Sequence, residues 1–341
     1  MPNESSLGEM RHLLCGFAAT ATISAVVNLG IIDHLSERPR TASELARLTG
    51  TNEEFLRRVL RYLASEGVFS EQEGDLFALT DLSYWLQSGV PGSLQPRASF
   101  VGRTVSWTAW GKLIQSLKTG KSGVQEAFGH TLFEFAKSDP DTAATFDAYM
   151  AAQTKASIEA VLNAYSFADV RELVDVGGGR GALLAGILQA HPGVRGILFD
   201  LPEVTATAFP LFERAGVSER CKIVSGSFFD QALPGADAYA IKFILHDWSD
   251  DDSIRILSNC RQAMAAGGRV LIIEHVMPEI SVPDFARFMD MNMLVLTEGG
   301  RERTKREFSH LLAAAGLELR TATPTPIGLW VLEGVASHIS G

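Results

Sequence analysis

Two groups of residues in this 341-residue chain have types and spacings that can do chemistry. The first is LVDVGGGRG, residues 173–181, where Asp175 stands just ahead of a run of glycines. Glycines between a strand and a helix allow a tight turn and let the backbone come close to a ligand. The stretch can be read as G-x-G-x-x-A, a dinucleotide fingerprint, but a carboxylate beside a pyrophosphate is unfavourable. Asp175 points instead to a ligand with positive charge, such as an amino-acid ammonium. The second group is His246 in KFILHDWSDDDS, with Glu274 in IIEHV and Glu302 in GGRERT at comparable places. A lone histidine is usually a satisfied surface or core group. A carboxylate beside an imidazole fixes its tautomer and stabilises its charged form, which suits a general base. No serine or cysteine stands in a recognisable nucleophile elbow, so covalent catalysis is not indicated.

Other residues extend these groups. Asp200 closes a strand-like RGILFD, about 25 residues after Asp175, where an acid commonly holds ribose hydroxyls. Its alternative is a solvated loop aspartate or a helix cap before Pro202. Ser227 and Phe228 follow the next apolar run, and Phe228 could cover a purine ring or belong to the core. Asp250, Asp251 and Asp252 are expected to cap and charge a helix N-terminus rather than bind a metal.

These residues need a frame to hold them. From Glu172 onward, strand-like and helix-like stretches alternate, as in an open parallel sheet with helices on both faces. LELRTATPTPIGLWVLEG then reads as a terminal strand pair on the same sheet. Ligands of such sheets bind beyond the carboxyl ends of the strands, which is where the candidate residues fall. Upstream, TASELARLTGTNEEFLRRVLRYLASEG holds two capping boxes, Thr41 with Glu44 and Thr51 with Glu54, and VFSEQEGDLFALT follows as a hairpin. This is a winged-helix pattern. Arg57, Arg58 and Arg61 are its candidate DNA contacts, but Glu53, Glu54, Glu71, Glu73 and Asp75 would meet phosphates. A dimerisation or substrate-closing module is preferred. Residues 100–165 look helical, and most of their aromatics should be core. The expected organisation is a winged-helix module over 1–100, a helical connector over 101–165 and the α/β domain over 166–341.

Composition sets outer bounds. A formal charge of −10 and a pI near 5.3 imply no nucleic-acid-binding surface. Cys15, Cys221 and Cys260 are too scattered for a metal pair or a disulfide framework and fit a reducing cytoplasm. MPNESSLGEM is not a signal-peptide n-region. Residues 13–32 are apolar but interrupted by Thr20, Thr22, Ser24 and Asn28. A buried helix at a subunit interface is expected there rather than a membrane span.

Taken in order, LVDVGGGRG, FDLPEV, GSFF, KFILHDWSD, IIEHVMP and GGRERT, behind the winged helix, closely resemble the dimeric class I S-adenosylmethionine-dependent O-methyltransferases. That group includes plant phenolic and bacterial antibiotic-pathway enzymes, and the resemblance spans nearly the whole chain. It implies a Rossmann-like methyltransferase sheet and a mainly helical dimerisation domain. By this resemblance Asp175, Gly177 and Gly179 border the methionine part of the cofactor. Asp200 holds the ribose, Ser227 and Phe228 flank adenine, and Leu201, Lys242 and Trp248 add further cofactor contacts. His246 matches the family's base, and Glu274 and Glu302 match the acids framing it. Phe146, Met150, Asn292 and Met293 fall where relatives line the acceptor pocket, although both methionines also sit at core spacing. The implied reaction is methyl transfer from S-adenosylmethionine to a hydroxyl of a small aromatic secondary metabolite. It would run in a cytoplasmic homodimer without metal, nucleic acid or membrane. Ser227 stands where plant members usually carry aspartate, and Arg180 either faces solvent or reaches the cofactor carboxylate. Three alternatives stay open: a relative catalysing decarboxylation or hydroxylation, a winged-helix regulator, and an NAD-dependent oxidoreductase.

Overall fold

A computed structural model describes residues 4–229 and 233–337. The chain divides into two compact units, Met1–Gly111 with Phe133–Ala152, and Lys112–Leu132 with Gln153–Gly341. Residues 101–165, expected as a separate connector, are therefore shared between the two.

In the first unit, helix α1 spans Glu4–Asn28, α2 Ile31–Glu37, α3 Ala42–Thr49 and α4 Glu53–Ser65. Strands β1 (Arg40–Thr41), β2 (Phe69–Gln72) and β3 (Leu76–Leu79) form an antiparallel sheet in the order β1-β3-β2. Leu45, Leu60, Leu63, Phe69 and Phe77 are buried together as its core. The Thr41–Glu44 capping box forms as expected at the start of α3. The Thr51–Glu54 box does not. Asn52 caps α4 by accepting from the Phe55 amide at 3.1 Å, and Thr51 pairs with Thr49 instead. Asparagine outranks threonine as an N-cap and already sits one residue closer to the helix. Of the candidate DNA-contacting arginines, Arg57 is paired with Glu53 and Asp75 and Arg61 with Glu71, whereas Arg58 lies over the Phe55 ring, 5.9 Å from its centre. Helix α1 is long and apolar enough to cross a membrane by length and composition. Within this one chain only its C-terminal end is packed. Val26 and Val27 are buried, whereas Leu13, Leu14 and Phe17 are 72%, 69% and 66% exposed.

Helix α5 (Pro140–Ala164) begins in the first unit and ends in the second. In the second unit the long sheet contains β4 (Glu172–Val176), β5 (Arg195–Asp200), β6 (Cys221–Ser225), β7 (Ala236–Lys242), β8 (Met264–Met277), β10 (Leu317–Pro324) and β11 (Leu329–Ala336). A short β9 (Arg303–Thr304) pairs with β8 beside the main path. The order is β10-β11-β8-β7-β4-β5-β6. Strands from β8 to β6 run parallel, and the terminal pair is antiparallel, as the sequence predicts. The parallel strands read as near-continuous apolar runs because both faces are covered. On β4, Leu173 enters one core with Leu184 and Leu188, and Val174 enters the other with Leu257, Phe308 and Leu312. The covering helices include α6 (Ala182–Ala190), α7 (Asp250–Ala263), α8 (Phe285–Leu296) and α9 (Lys305–Ala314). The Thr304–Glu307 capping box opens α9. At α7 the cap is Ser249, which accepts from the Asp252 amide. Asp250, Asp251 and Asp252 charge the first turn without capping it, a correction to their expected capping role. The chain lays β5 and β6 on one side of β4, then returns to place β7 on the other. That reversal opens a crevice beyond the ends of β4 and β7.

Candidate active site

Where β4 ends, the chain turns through Gly177 (φ 66°), Gly179 (φ 61°) and Gly181 (φ 80°) before α6 begins. Asp175, one residue before the strand's last, is buried, and its Oδ2 has no hydrogen-bond partner among the described residues. Burial raises its pKa to about 7, against the pull of the Lys242 ammonium. Burial in turn lowers Lys242 to about 8, although Asp175 and Glu274 favour its charged form. The Lys242 Nζ donates to Thr154 Oγ1 at 3.2 Å and lies 4.4 Å from the centre of the Phe243 ring.

Asp200 closes β5 and ties the two neighbouring loops together. Its Oδ2 accepts from the Gly179 amide at 2.8 Å, and its Oδ1 accepts from the Leu201 amide at 2.7 Å. Burial raises its pKa, and these two donors oppose the rise. Past β6, Ser227 Oγ accepts from the Phe229 amide at 3.2 Å. Phe228 and Phe229 both meet Trp248 edge to face, at 6.1 and 4.7 Å between ring centres. Phe229 was not singled out in the sequence, although the doubled phenylalanine of GSFF signals an aromatic wall rather than one ring.

Beyond β7 the backbone takes an uncommon course. Phe243 has φ 54°, a left-handed conformation that side chains rarely adopt. A short 3₁₀ turn, Leu245–Asp247, follows and carries His246. Glu274, in β8 just past its last residue paired with β7, holds this course; the strand itself runs on to Met277. Its Oε1 accepts from the amides of Ile244 and His246 at 3.1 and 3.2 Å. The imidazole belongs to Glu302, whose Oε1 lies 3.0 Å from His246 Nδ1. The two acids thus divide the work expected of them, one holding the turn's backbone and the other the ring. A carboxylate oxygen accepts, so in the neutral ring Nδ1 carries the hydrogen and Nε2 the lone pair. The ring also stacks on Phe243, 5.4 Å away with 19° between planes. Burial draws the imidazole pKa down, but the carboxylates of Asp247, Glu302 and Glu274 outweigh it and bring it to about 9. Burial raises Glu274 to about 7, with His246 opposing.

The two groups found in the sequence therefore meet. A Cβ added at Gly177 would lie 2.5 Å from Ile244 Cδ1 and 3.5 Å from Phe228 Cε1. Asn292 and Met293 lie on α8, where Met293 is buried and Asn292 partly so. Phe146 and Met150 lie on the first-unit part of α5, and Phe146 packs against Phe100 and Phe133 there. Among the described residues no group of three His, Cys, Asp or Glu is placed to hold a metal ion. Sequence reasoning missed Arg303, which is fully buried and reaches the histidine turn. Its signal was a charge inside GGRERT directly after Glu302.

A buried, unpartnered carboxylate under a glycine turn, an acid at the next strand end and an aromatic wall fit a cationic adenosyl ligand. The fold and this site define a Rossmann-like methyltransferase. A model of the O-methyltransferase domain matches residues 110–318, and one of the O-methyltransferase dimerisation domain matches residues 11–89. The chain belongs to this O-methyltransferase family and is an S-adenosylmethionine-dependent O-methyltransferase. It is 39% identical to a phenazine O-methyltransferase of Lysobacter antibioticus over 322 residues, 94% of each chain. It is 38% identical to a mitomycin biosynthesis 6-O-methyltransferase of Streptomyces lavendulae, covering 94% of this chain and 91% of that one. Among solved structures it is similar to CalO1, a methyltransferase in calicheamicin biosynthesis in its SAH-bound form. The TM-score is 0.89 at 35% identity, over 99% of this chain and all (100%) of that one.

Proposed function

We propose that the acceptor is a phenolic hydroxyl of a small aromatic secondary metabolite and that His246 is the general base. The observation that carries this reading is the buried His246–Glu302 pair beside the glycine turn. Bound S-adenosylmethionine supplies an activated methyl on a sulfonium. Asp175 faces the ligand's ammonium, whose charge favours the ionised carboxylate that burial alone disfavours. Gly177 and Gly179 admit the methionine chain. Asp200, with Leu201, keeps acceptor capacity for ribose hydroxyls while bracing the Gly179 amide. Ser227, Phe228 and Trp248 flank adenine, and Lys242 stands at the methionine end. His246 Nε2 takes the hydroxyl proton. A free phenol has a pKa of about 10, so at neutral pH a base at the reacting oxygen lowers the barrier. Asn292 and Met293 are proposed acceptor contacts, and Phe146 and Met150 are carried over on the resemblance alone. The two relatives are named for phenazine and mitomycin chemistry, which favours a polycyclic hydroxylated acceptor.

Incubation with S-adenosylmethionine and a panel of hydroxylated arenes, followed by mass spectrometry, tests the reading. The expected product carries one added methyl on oxygen. Decarboxylated or hydroxylated products instead would overturn it in favour of a non-methylating relative.

We further propose a cytoplasmic homodimer joined through the first unit. The dimerisation-domain match and the exposed Leu13, Leu14 and Phe17 of α1 support the pairing, because a second copy would cover that apolar stripe. The three free cysteines suit a reducing compartment. Light scattering on the intact protein should give twice the chain mass. A strictly monomeric protein at micromolar concentration contradicts the assignment.

A further inference from the structure

The side chain of Arg303 is fully buried although it carries a permanent charge. Burying a cation costs free energy unless it is paired and its donors are used. Here they are used on one target. Nη1 donates to the Leu245 carbonyl at 2.7 Å, Nη2 to the Trp248 carbonyl at 2.8 Å, and Nε to Asp250 Oδ1 at 2.9 Å. Leu245 precedes His246, and Trp248 follows it by two residues and forms part of the aromatic wall. The fork therefore grips the histidine turn on both sides. Its neighbours in sequence complete the hold: the Arg301 amide donates to the His246 carbonyl at 2.8 Å, and Glu302 takes the ring. Gly300 lies so close that an added Cβ would stand 2.6 Å from the same carbonyl.

We propose that Arg303 is a positioning residue for methyl transfer, fixing the His246 turn against Glu302 so that the imidazole and the aromatic wall keep one relative placement. A planar fork with separately directed donors suits three acceptors spread over residues 245–250, whereas a lysine ammonium on a flexible stem does not. The proposal rests on the reading of His246 as the base.

Arg303→Lys keeps the charge and loses the fork. In protein labelled at histidine, the His246 resonance is identified by its loss in His246→Ala, and its titration is followed in wild type and Arg303→Lys. With the ring less firmly held against Glu302, the midpoint is expected to fall below about 9, while Asp247 on the same turn keeps part of the rise. Turnover of the best acceptor from the arene panel should drop about 10- to 100-fold, the scale of a misplaced catalytic group. A role in stability alone would lower the unfolding temperature and leave the midpoint in place, and that result overturns the proposal. Should Arg303→Lys fail to fold, Asp250→Ala removes one of the fork's three acceptors from an exposed position and should give a smaller fall of the same sign. An unmoved midpoint there equally overturns it. If His246→Ala retained turnover while Arg303→Lys moved the midpoint, the base reading would fail and the positioning of the turn would stand.

Discussion

His246→Ala should lower methyl transfer by about 100-fold or more at neutral pH, the usual worth of a positioned general base. Affinity for S-adenosylhomocysteine should change little, because the proposed adenosyl contacts lie on Asp200, Phe228 and Trp248 rather than on the imidazole. The pH dependence gives the sharper test. The unliganded imidazole titrates near 9, held there by Asp247, Glu302 and Glu274 against its burial. A base works deprotonated, so kcat/KM of the wild type should rise with pH and level off above that value. A sulfonium bound nearby disfavours imidazolium, so the corresponding limb in kcat should lie lower. In His246→Ala the limb should be replaced by the acceptor's own ionisation, at about 10 for a simple phenol. The ratio of wild-type to mutant rates therefore narrows as pH approaches that value. Glu302→Gln should cost less, since an amide oxygen can still accept from Nδ1. Near-full turnover by His246→Ala at neutral pH would sink the mechanism and leave proximity as the source of rate.

Gly181→Ala should destabilise the second unit by about 2 to 5 kcal/mol, from left-handed strain plus overpacking. At φ 80° an added Cβ would lie 2.3 Å from Cζ of Phe212, which is itself buried. Gly179→Ala is the internal control. Its φ is 61°, but no atom lies within 4 Å of the added Cβ, so only the backbone strain of about 1 to 2 kcal/mol applies. Urea unfolding of the two variants under one set of conditions should show that gap. Equal losses would mean that Phe212 moves aside without cost.

The contrast between these glycines shows where sequence reading runs out. GGGRG announces a tight turn before a helix, because composition alone implies left-handed backbone. Which glycine also makes room for Phe212 depends on a contact made 31 residues later in the chain, between Gly181 and Phe212. The sheet and its terminal antiparallel pair were readable because apolar runs and turn residues repeat along the chain, and the reversal beside β4 follows from their order. Caps were readable only where one candidate stood alone. Thr41–Glu44 and Thr304–Glu307 formed, whereas Asn52 displaced Thr51 and Ser249 displaced the aspartates. Of the site, residue types and strand ends were legible. The division of labour between Glu274 and Glu302 was not, since both are glutamates near one histidine and only the backbone course at Phe243 separates them. Arg303 escaped notice because a charged residue in a polar loop reads as solvated until its burial is known.

The histidine turn belongs to no long helix and to no strand, and its shape comes from elsewhere in the chain. Its amides are held across 28 and 30 residues by Glu274, and its carbonyls across 55 and 58 by Arg303. Contacts of such sequence separation form only after the intervening loops have closed, at an entropic cost that local turns avoid. A chain ending before residue 300 would contain His246, Glu274, the glycine turn and Asp200, yet lack Glu302, which takes the ring, and Arg303, which holds the turn's carbonyls. The proposed base is therefore placed by residues 28 to 58 positions further along the chain, whereas the Asp200 carboxylate beside the glycine turn is placed by amides 1 and 21 residues away.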